Sequence, residues 1–446
     1  MSRPVSALIS PDTVRSLMDE LAVPGVAVGV VHGEDEEVAG FGVTSVEHPL
    51  AVDGDTLFQI GSISKTFTAT AAMRLVEEGR VDLDEPVRRH LPELRLADED
   101  TAARVTMRHL LSHTGGWVGD YFDPIGHGDD VLAQMVSRLD RLEQLTPLGE
   151  VWSYNNAGFY IAGRVIEVVI GKPFEEAMKE LVFAPLELER CFFFAEDVMT
   201  HRFAVGHDRS GSVARPWPIG RPSAAVGGVI ASASELLRYA RLQFGESDLL
   251  SRESLAELWT AQADAPGAQG ADEVGLGWYL FEREGRSFLT HGGATNGQQA
   301  RLVVAPAERF ALAVLTNHDD GGALGAELLT AGLRSAFGIE PSDPVHVERT
   351  RAELDRYVGI YEAPLTRLVV TVDSGTLVLE IVPRGGFPAP DSPPNPGPPP
   401  TRLAFLQPDI VVALDPPLKG ARGDFMRGQE GEIAWLRFGG RLHRPV

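Results

Sequence analysis

Strand-forming segments stand at both ends of the first three quarters of this chain and enclose a long, mostly helical stretch. That arrangement limits the fold more than any other feature. After a helix predicted at Pro11 to Leu21, "GVAVGVVHG" and "EVAGFGVTSV" carry the β-branched, alternating pattern of a two-stranded hairpin. Far along the chain, "FLTHGG", "QARLVVAP" and "FALAVLTN" predict three more strands, the last two joined by a short turn at Ala307 to Arg309. A helix from about Gly322 to Phe337 closes the unit. Strands from both ends of one domain around a helical insertion predict an α/β (α+β) fold, an antiparallel sheet with flanking helices and a helical lobe beside it.

At 446 residues the chain exceeds what one hydrophobic core usually serves. We assign residues 1–340 to the first domain, 341–350 to a linker within "GIEPSDPVHVERT", and 351–446 to a small all-β domain. The β domain is read from "LVVTVDSGTLVLEIVP", "RLAFLQPDIVVALD" and "EIAWLRFGGRLHRPV", which alternate around turn signals. The segment "PRGGFPAPDSPPNPGPPP" is too rich in proline and glycine for a strand and is expected to be a long surface loop. There is no internal repeat.

Sixty-three acidic residues against 40 basic ones give a net charge of −23, which repels polyphosphate and anionic lipid. Nucleic acid and membrane partners are therefore not expected. No run of eighteen apolar residues occurs, and "MSRPVSALISPDTVRSLM" lacks the features of an export signal, so a cytoplasmic location is expected. The single cysteine, Cys191 in "LERCFFF", reads as a core residue. Twelve histidines form no H-x-x-x-H pair on a predicted helix and there are no clustered cysteine ligands, so neither a metal nor another cofactor is expected.

Only four lysines occur beside thirty-six arginines, and one of them, Lys65, stands three residues after Ser62 in "FQIGSISKTF". The run Ser62 to Gly79 predicts a helix, on which residues at i and i+3 share a face. An arginine stays protonated at any ordinary pH, whereas a desolvated lysine can lose its proton and act on a neighbouring hydroxyl as a base. The plainer alternative is a helix N-cap followed by an exposed lysine.

Two further motifs follow in order. "WSYNNAGF" sets Tyr154 and Asn156 in a turn before a helix that runs to about Gly171, and "LTHGGATNG" sets His291, Gly292 and Gly293 at the end of a strand. Serine with lysine, then Tyr-x-Asn, then a strand ending in basic-x-Gly resembles the serine β-lactamase and penicillin-binding-protein family, in the branch of class C β-lactamases, related esterases and D-aminopeptidases. The resemblance covers roughly residues 10–340 and includes "VPGVAVGVV", "LFQIGSISK" and "LLSHTGG". It implies that Ser62 is the nucleophile, and that its amide and that of Ala294 hold the oxyanion. Lys65 and Tyr154 would then share the proton, with the choice of base left open. It also implies that Gly292 and Gly293 let substrate pass along the strand edge, and that Asn156 orients Lys65 and meets a substrate carbonyl. His113 and Trp117 in "LLSHTGGW" are expected to brace the site. No G-x-S-x-G is present, which argues against an α/β-hydrolase.

The third motif of this family usually begins with lysine, whose charge helps capture a substrate carboxylate. His291 is mostly neutral near pH 7. Neutral esters are therefore favoured over β-lactams or D-Ala-D-Ala peptides, unless Arg301 in the next strand supplies the charge from elsewhere. The β domain resembles, more loosely and from "YVGIYE" onward, the lipocalin-like barrel of some family members. Together these readings predict a serine hydrolase working through a Ser62 acyl-enzyme on a small-molecule or peptide ester or amide, with carboxylesterase activity first. The alternatives are a D-amino-acid peptidase or amidase, acyl transfer to an amine as in peptide cyclisation, and a weakly catalytic ligand sensor. Because all three motifs precede the linker, residues up to about 345 are expected to retain Ser62 chemistry, with the β domain at most covering the cleft mouth.

Overall fold

A computed structural model describes residues 8–217, 219–340, 345–394 and 396–446. Helix α1, Pro11–Leu21, starts where Ser10 Oγ accepts from the Thr13 amide and Pro11 sets the first turn, and it ends at Ala22 in the left-handed region. The hairpin follows as β1, Gly25–His32, and β2, Asp35–Gly42. Six more strands complete an antiparallel sheet: β3 at Ala263–Asp264, β4 at Glu273–Val274, β5 at Tyr279–Arg283, β6 at Arg286–Thr295, β7 at Gln298–Ala305 and β8 at Phe310–Thr316. The order across the sheet is β2-β1-β8-β7-β6-β5-β4-β3, so strands from the two ends of the domain meet where β1 pairs β8.

Strand β1 is apolar at nearly every position because both of its faces are covered. Ala27 and Val31 join the core shared with the helical lobe, which includes Leu236 and Leu237 of α4, Ala233–Gln243. Val26, Val28 and Val30 join a second core with Val14 of α1 and with Leu324 and Leu328 of α5, Gly321–Phe337. Within the lobe, α2 at Ser64–Glu77 is buried on almost all sides, and α3 at Asn156–Ile170 packs against it. Cys191 is buried, as the sequence predicts.

The C-terminal domain is a separate closed barrel of eight strands: β9 Gly359–Glu362, β10 Thr366–Asp373, β11 Thr376–Pro383, β12 Thr401–Gln407, β13 Ile410–Ala413, β14 Arg422–Arg427, β15 Ile433–Phe438 and β16 Arg441–Pro445. Neighbours in sequence pair throughout, and β16 returns to β9 through Tyr361 opposite Pro445. Side chains fill the interior, Phe405, Phe425 and Phe438 among them. Residues 341–344 of the expected linker lie outside the described residues. Among the described residues no helix is long and apolar enough to cross a membrane.

Candidate active site

The helix predicted from Ser62 is preceded by a separate corner. Gly61, at φ +51°, opens a single 3-10 turn through Ile63, and α2 begins at Ser64. The corner sets Ser62 at the cleft, with Lys65 one helical turn behind it in the fully buried first turn of α2. Lys65 Nζ lies 3.2 Å from Ser62 Oγ and donates to the Val226 carbonyl at 2.7 Å. Its other neighbours are the rings of Tyr154 and Phe159, 4.9 Å and 5.4 Å from Nζ. Burial, helped by the charge of Arg441 and opposed by that of Asp120, holds the Lys65 amine well below the ordinary lysine range. The exposed N-cap lysine is thereby ruled out.

Tyr154 sits in the turn before α3, whose N-cap Asn155 accepts from the Gly158 amide at 2.8 Å. Its phenol is buried, and burial pushes its pKa above the ordinary tyrosine value, an effect that Arg441 and Ser62 reduce. The phenol oxygen has no partner of full hydrogen-bond geometry among the described residues. His113 receives the Asn155 amide on Nδ1 at 2.9 Å and stacks 4.4 Å from the Tyr154 ring, so it holds this turn in place. Trp117 is buried, and its carbonyl accepts from Asn155 Nδ2 at 3.0 Å.

Strand β6 brings Gly292, Gly293 and Ala294 to the cleft wall. A side chain at Gly293 would collide with the Ile60 carbonyl and approach the Ser62 amide at 2.9 Å, so only glycine lets this strand lie against the Ser62 corner. His291 does not line the cleft. It is 1% exposed, its ring centroid lies 5.1 Å from that of Tyr279 and 6.4 Å from that of Tyr154, and burial brings its pKa down to about 3. Asn156 lines the cleft, yet its amide donates to Asp120 Oδ1 at 2.7 Å, and no hydrogen bond joins it to Lys65.

The expectation that the three motifs carry the site alone is incomplete. The cleft, about 460 Å³, is also lined by Leu365, Phe387 and Arg441 of the barrel. The β15–β16 turn reaches the base of α3. There the Tyr154 amide donates to the Gly440 carbonyl at 2.8 Å, and Arg437 donates to the Trp152 carbonyl at 2.9 Å. A side chain at Gly440 would crowd Trp152, which explains the small residue at this contact. Arg441 then pairs with Asp120, Nε to Oδ2 at 3.0 Å, and stacks over the Tyr154 ring at 4.5 Å. Phe387, from the proline-rich loop, meets Phe122 edge to face with ring centroids 4.9 Å apart. The paired glycines in "RFGGRLH" mark a hairpin turn in the sequence, but nothing in the sequence marks the surface this turn meets.

The family model described as Beta-lactamase matches residues 11–336. Penicillin-binding protein 4 of Amycolatopsis lactamdurans is 33% identical over 324 residues, which is 68% of this chain and 83% of that protein. Esterase EstB of Burkholderia gladioli is 34% identical over 206 residues, 43% of this chain and 52% of that protein. The crystal structure of SurE with D-Leu superposes with a TM-score of 0.75 at 26% identity, covering 98% of both chains and thus both domains.

Proposed function

Since the chain belongs to the beta-lactamase family, whose members here include hydrolases and an esterase, we propose that this serine hydrolase cleaves carboxylic esters through an acyl-enzyme on Ser62. The observation that carries the choice of ester is the buried, neutral His291, which leaves the third motif without a cation beside the scissile bond. Ser62 Oγ attacks the ester carbonyl carbon and its proton passes to Lys65, whose burial favours the neutral amine. Lys65 is the better base of the pair, since burial shifts the Tyr154 phenol in the opposite direction and keeps it protonated. As the carbon–oxygen bond breaks, Tyr154 gives its proton to the departing oxygen and recovers one from Lys65. Water then resolves the acyl-enzyme, its proton moving along the same pair. The amides of Ser62 and Ala294, brought together by Gly293, hold the developing oxyanion.

The substrate on this reading is a small-molecule or peptide ester met in the cytoplasm. A second reading, aminolysis of the acyl-enzyme by a D-amino acid or D-configured peptide, is favoured by the two-domain likeness to SurE with D-Leu. One experiment tests both. Purified protein is given p-nitrophenyl butyrate, alone and with D-Leu or L-Leu amide. Turnover, and a butyryl adduct on Ser62 by intact-mass and peptide mapping, is expected; an adduct elsewhere, or none together with no turnover, removes the proposal. Selective formation of the butyryl-D-Leu amide would make aminolysis the physiological half-reaction.

A further inference from the structure

The cleft runs past Ser62 along Gly293 and Gly292 to Gln299, Arg301 and the first turn of α5, where Gly321, Gly322 and Gly325 form the wall. Arg301 lies opposite Gly292 in the β6–β7 pairing, and it lines the same cleft as Ser62. The guanidinium makes no ion pair among the described residues. Among the described residues its hydrogen-bond partner is the Gln269 carbonyl, 3.2 Å from Nη1.

That partner is itself held in place. Gln269 has φ +53°, an uncommon conformation for a residue with a side chain, and its Oε1 accepts from the Gly292 amide. Arg422 of the barrel packs on Gly267 in the same loop and pairs with Asp272 at 3.0 Å. Arg301 is thus aimed by a braced loop and lines the cleft, with burial lowering its pKa and no anion pairing with it among the described residues. The lining of the cleft holds two arginines, Arg301 and Arg441, against one aspartate, Asp120, which Arg441 already engages. One positive charge is left over in a chain of net charge −23. A low-dielectric cleft of opposite sign to the rest of the molecule concentrates anions.

Building on the ester-cleaving reading, we propose that Arg301 is a specificity residue that binds a carboxylate carried by the substrate, at a distance from the scissile ester and on the Gly292 side of the cleft. The preferred substrates are then esters with a free acid one short chain away from the reacting carbonyl. Lysine at the start of the third motif would hold an acid beside the bond, whereas Arg301 holds one farther along the strand. A planar guanidinium with its remaining N–H groups unengaged suits bidentate capture of a carboxylate.

The test uses two matched ester pairs on the full chain. In the first, p-nitrophenyl hydrogen adipate is compared with p-nitrophenyl hexanoate, which places the acid on the acyl side. In the second, 3-acetoxybenzoate is compared with 3-methylphenyl acetate, which places it on the leaving group. Wild type is expected to favour the acid in one pair by at least about tenfold in kcat/KM, through a lower KM. Arg301→Gln should erase that preference while leaving the neutral ester within about threefold, and Arg301→Lys should keep part of it. Equal rates within both wild-type pairs overturn the proposal without any variant, as does an Arg301→Gln enzyme that slows acid and neutral esters alike. No turnover of any of the four esters would instead count against the ester-cleaving reading itself.

Discussion

Arg441 Nε stands 3.0 Å from Asp120 Oδ2, two residues 321 positions apart in the chain, and this ion pair fastens the barrel to the turn that carries Tyr154 and Asn156. The Asp120 side chain is 5% exposed while that of Arg441 is 37% exposed, so the carboxylate is the buried member of the pair and removing Arg441 takes away its cation. Arg441→Ala is expected to lower stability by about 1 to 3 kcal/mol, less than for a fully buried pair because Arg441 is partly solvated and Asp120 keeps the Asn156 amide as a donor. The double variant Asp120→Asn/Arg441→Met should recover much of that loss in urea unfolding. If the single variant unfolds like wild type, the barrel contact is not part of the folded core.

Burial is the main cause of the lowered Lys65 pKa, and the same pair adjusts it. The charge of Arg441 lowers the Lys65 pKa and that of Asp120 raises it. In the proposed mechanism activity needs the neutral amine, so kcat/KM should fall as pH drops through the Lys65 pKa and should level off well below the ordinary lysine value. Arg441→Ala removes the lowering charge and frees Asp120, which moves the acid limb to higher pH. Asp120→Asn removes the raising charge and moves it to lower pH. Profiles for p-nitrophenyl acetate that shift in the same direction would assign the limb to another group.

Ser62→Ala should abolish turnover and labelling by a fluorophosphonate probe while leaving the melting temperature nearly unchanged, because Ser62 faces the cleft rather than the core. Lys65→Arg should be nearly as damaging to activity. It keeps the charge but removes the base, and it forces a cation into a site closed by Val226 and two aromatic rings. Tyr154→Phe should lower kcat by about 10² or more, the usual scale for a general acid. A Tyr154→Phe enzyme with normal kcat would reduce the phenol to packing.

A chain ending at residue 345 should lose activity on small esters as well as large ones, against what the order of motifs alone suggests. Truncation removes Arg441 and the Gly440 carbonyl that accepts from the Tyr154 amide, and it uncovers Trp152. Soluble truncated protein with wild-type turnover of p-nitrophenyl acetate would show that α3 and its entry turn hold their geometry without the barrel.

Local pattern made much of this molecule legible. The helix at Pro11 to Leu21 was readable from its cap and proline, β1 and β8 from their apolar runs, and the Ser62–Lys65 relation from helical spacing. The short strands β3 and β4 are two residues each and leave no periodicity to read. Strand β14, "RGDFMR", is obscured by Asp424, which pairs with Arg437 where the barrel meets the first domain, and by Arg427, which pairs with Asp409. The barrel's share of the cleft was not legible for a different reason. Arg441, Phe387 and Leu365 acquire their place from how two separately built domains meet, and no local signal in the chain encodes that contact. Likewise, a histidine in a strand reads as a half-exposed group near its ordinary pKa, and only the packing of Tyr154 and Tyr279 around His291 makes it buried and neutral.

The proline-rich loop gives the last prediction. Phe387 projects from it into the cleft, where it meets Phe122 edge to face. The loop is tied down from both domains, through Arg209, which donates to the Pro396 carbonyl at 2.9 Å and pairs with Asp320 at 2.8 Å, and through Arg384, which pairs with Glu362 at 3.1 Å. With Ile219 and Leu365 the two rings form an apolar wall that no polar group of the reaction requires, so its effect is on which chains bind. Burying a few methylenes against such a wall stabilises binding by about 0.8 kcal/mol each. Across p-nitrophenyl acetate, butyrate, hexanoate and octanoate, wild-type KM should therefore fall with chain length. Phe387→Ala should flatten that trend, raising KM for the octanoate by about tenfold while leaving the acetate and every kcat nearly unchanged. An equal rise in KM across the series would put the Phe122–Phe387 pair against the leaving group instead of the acyl chain, and an unchanged octanoate KM would remove the loop from substrate selection.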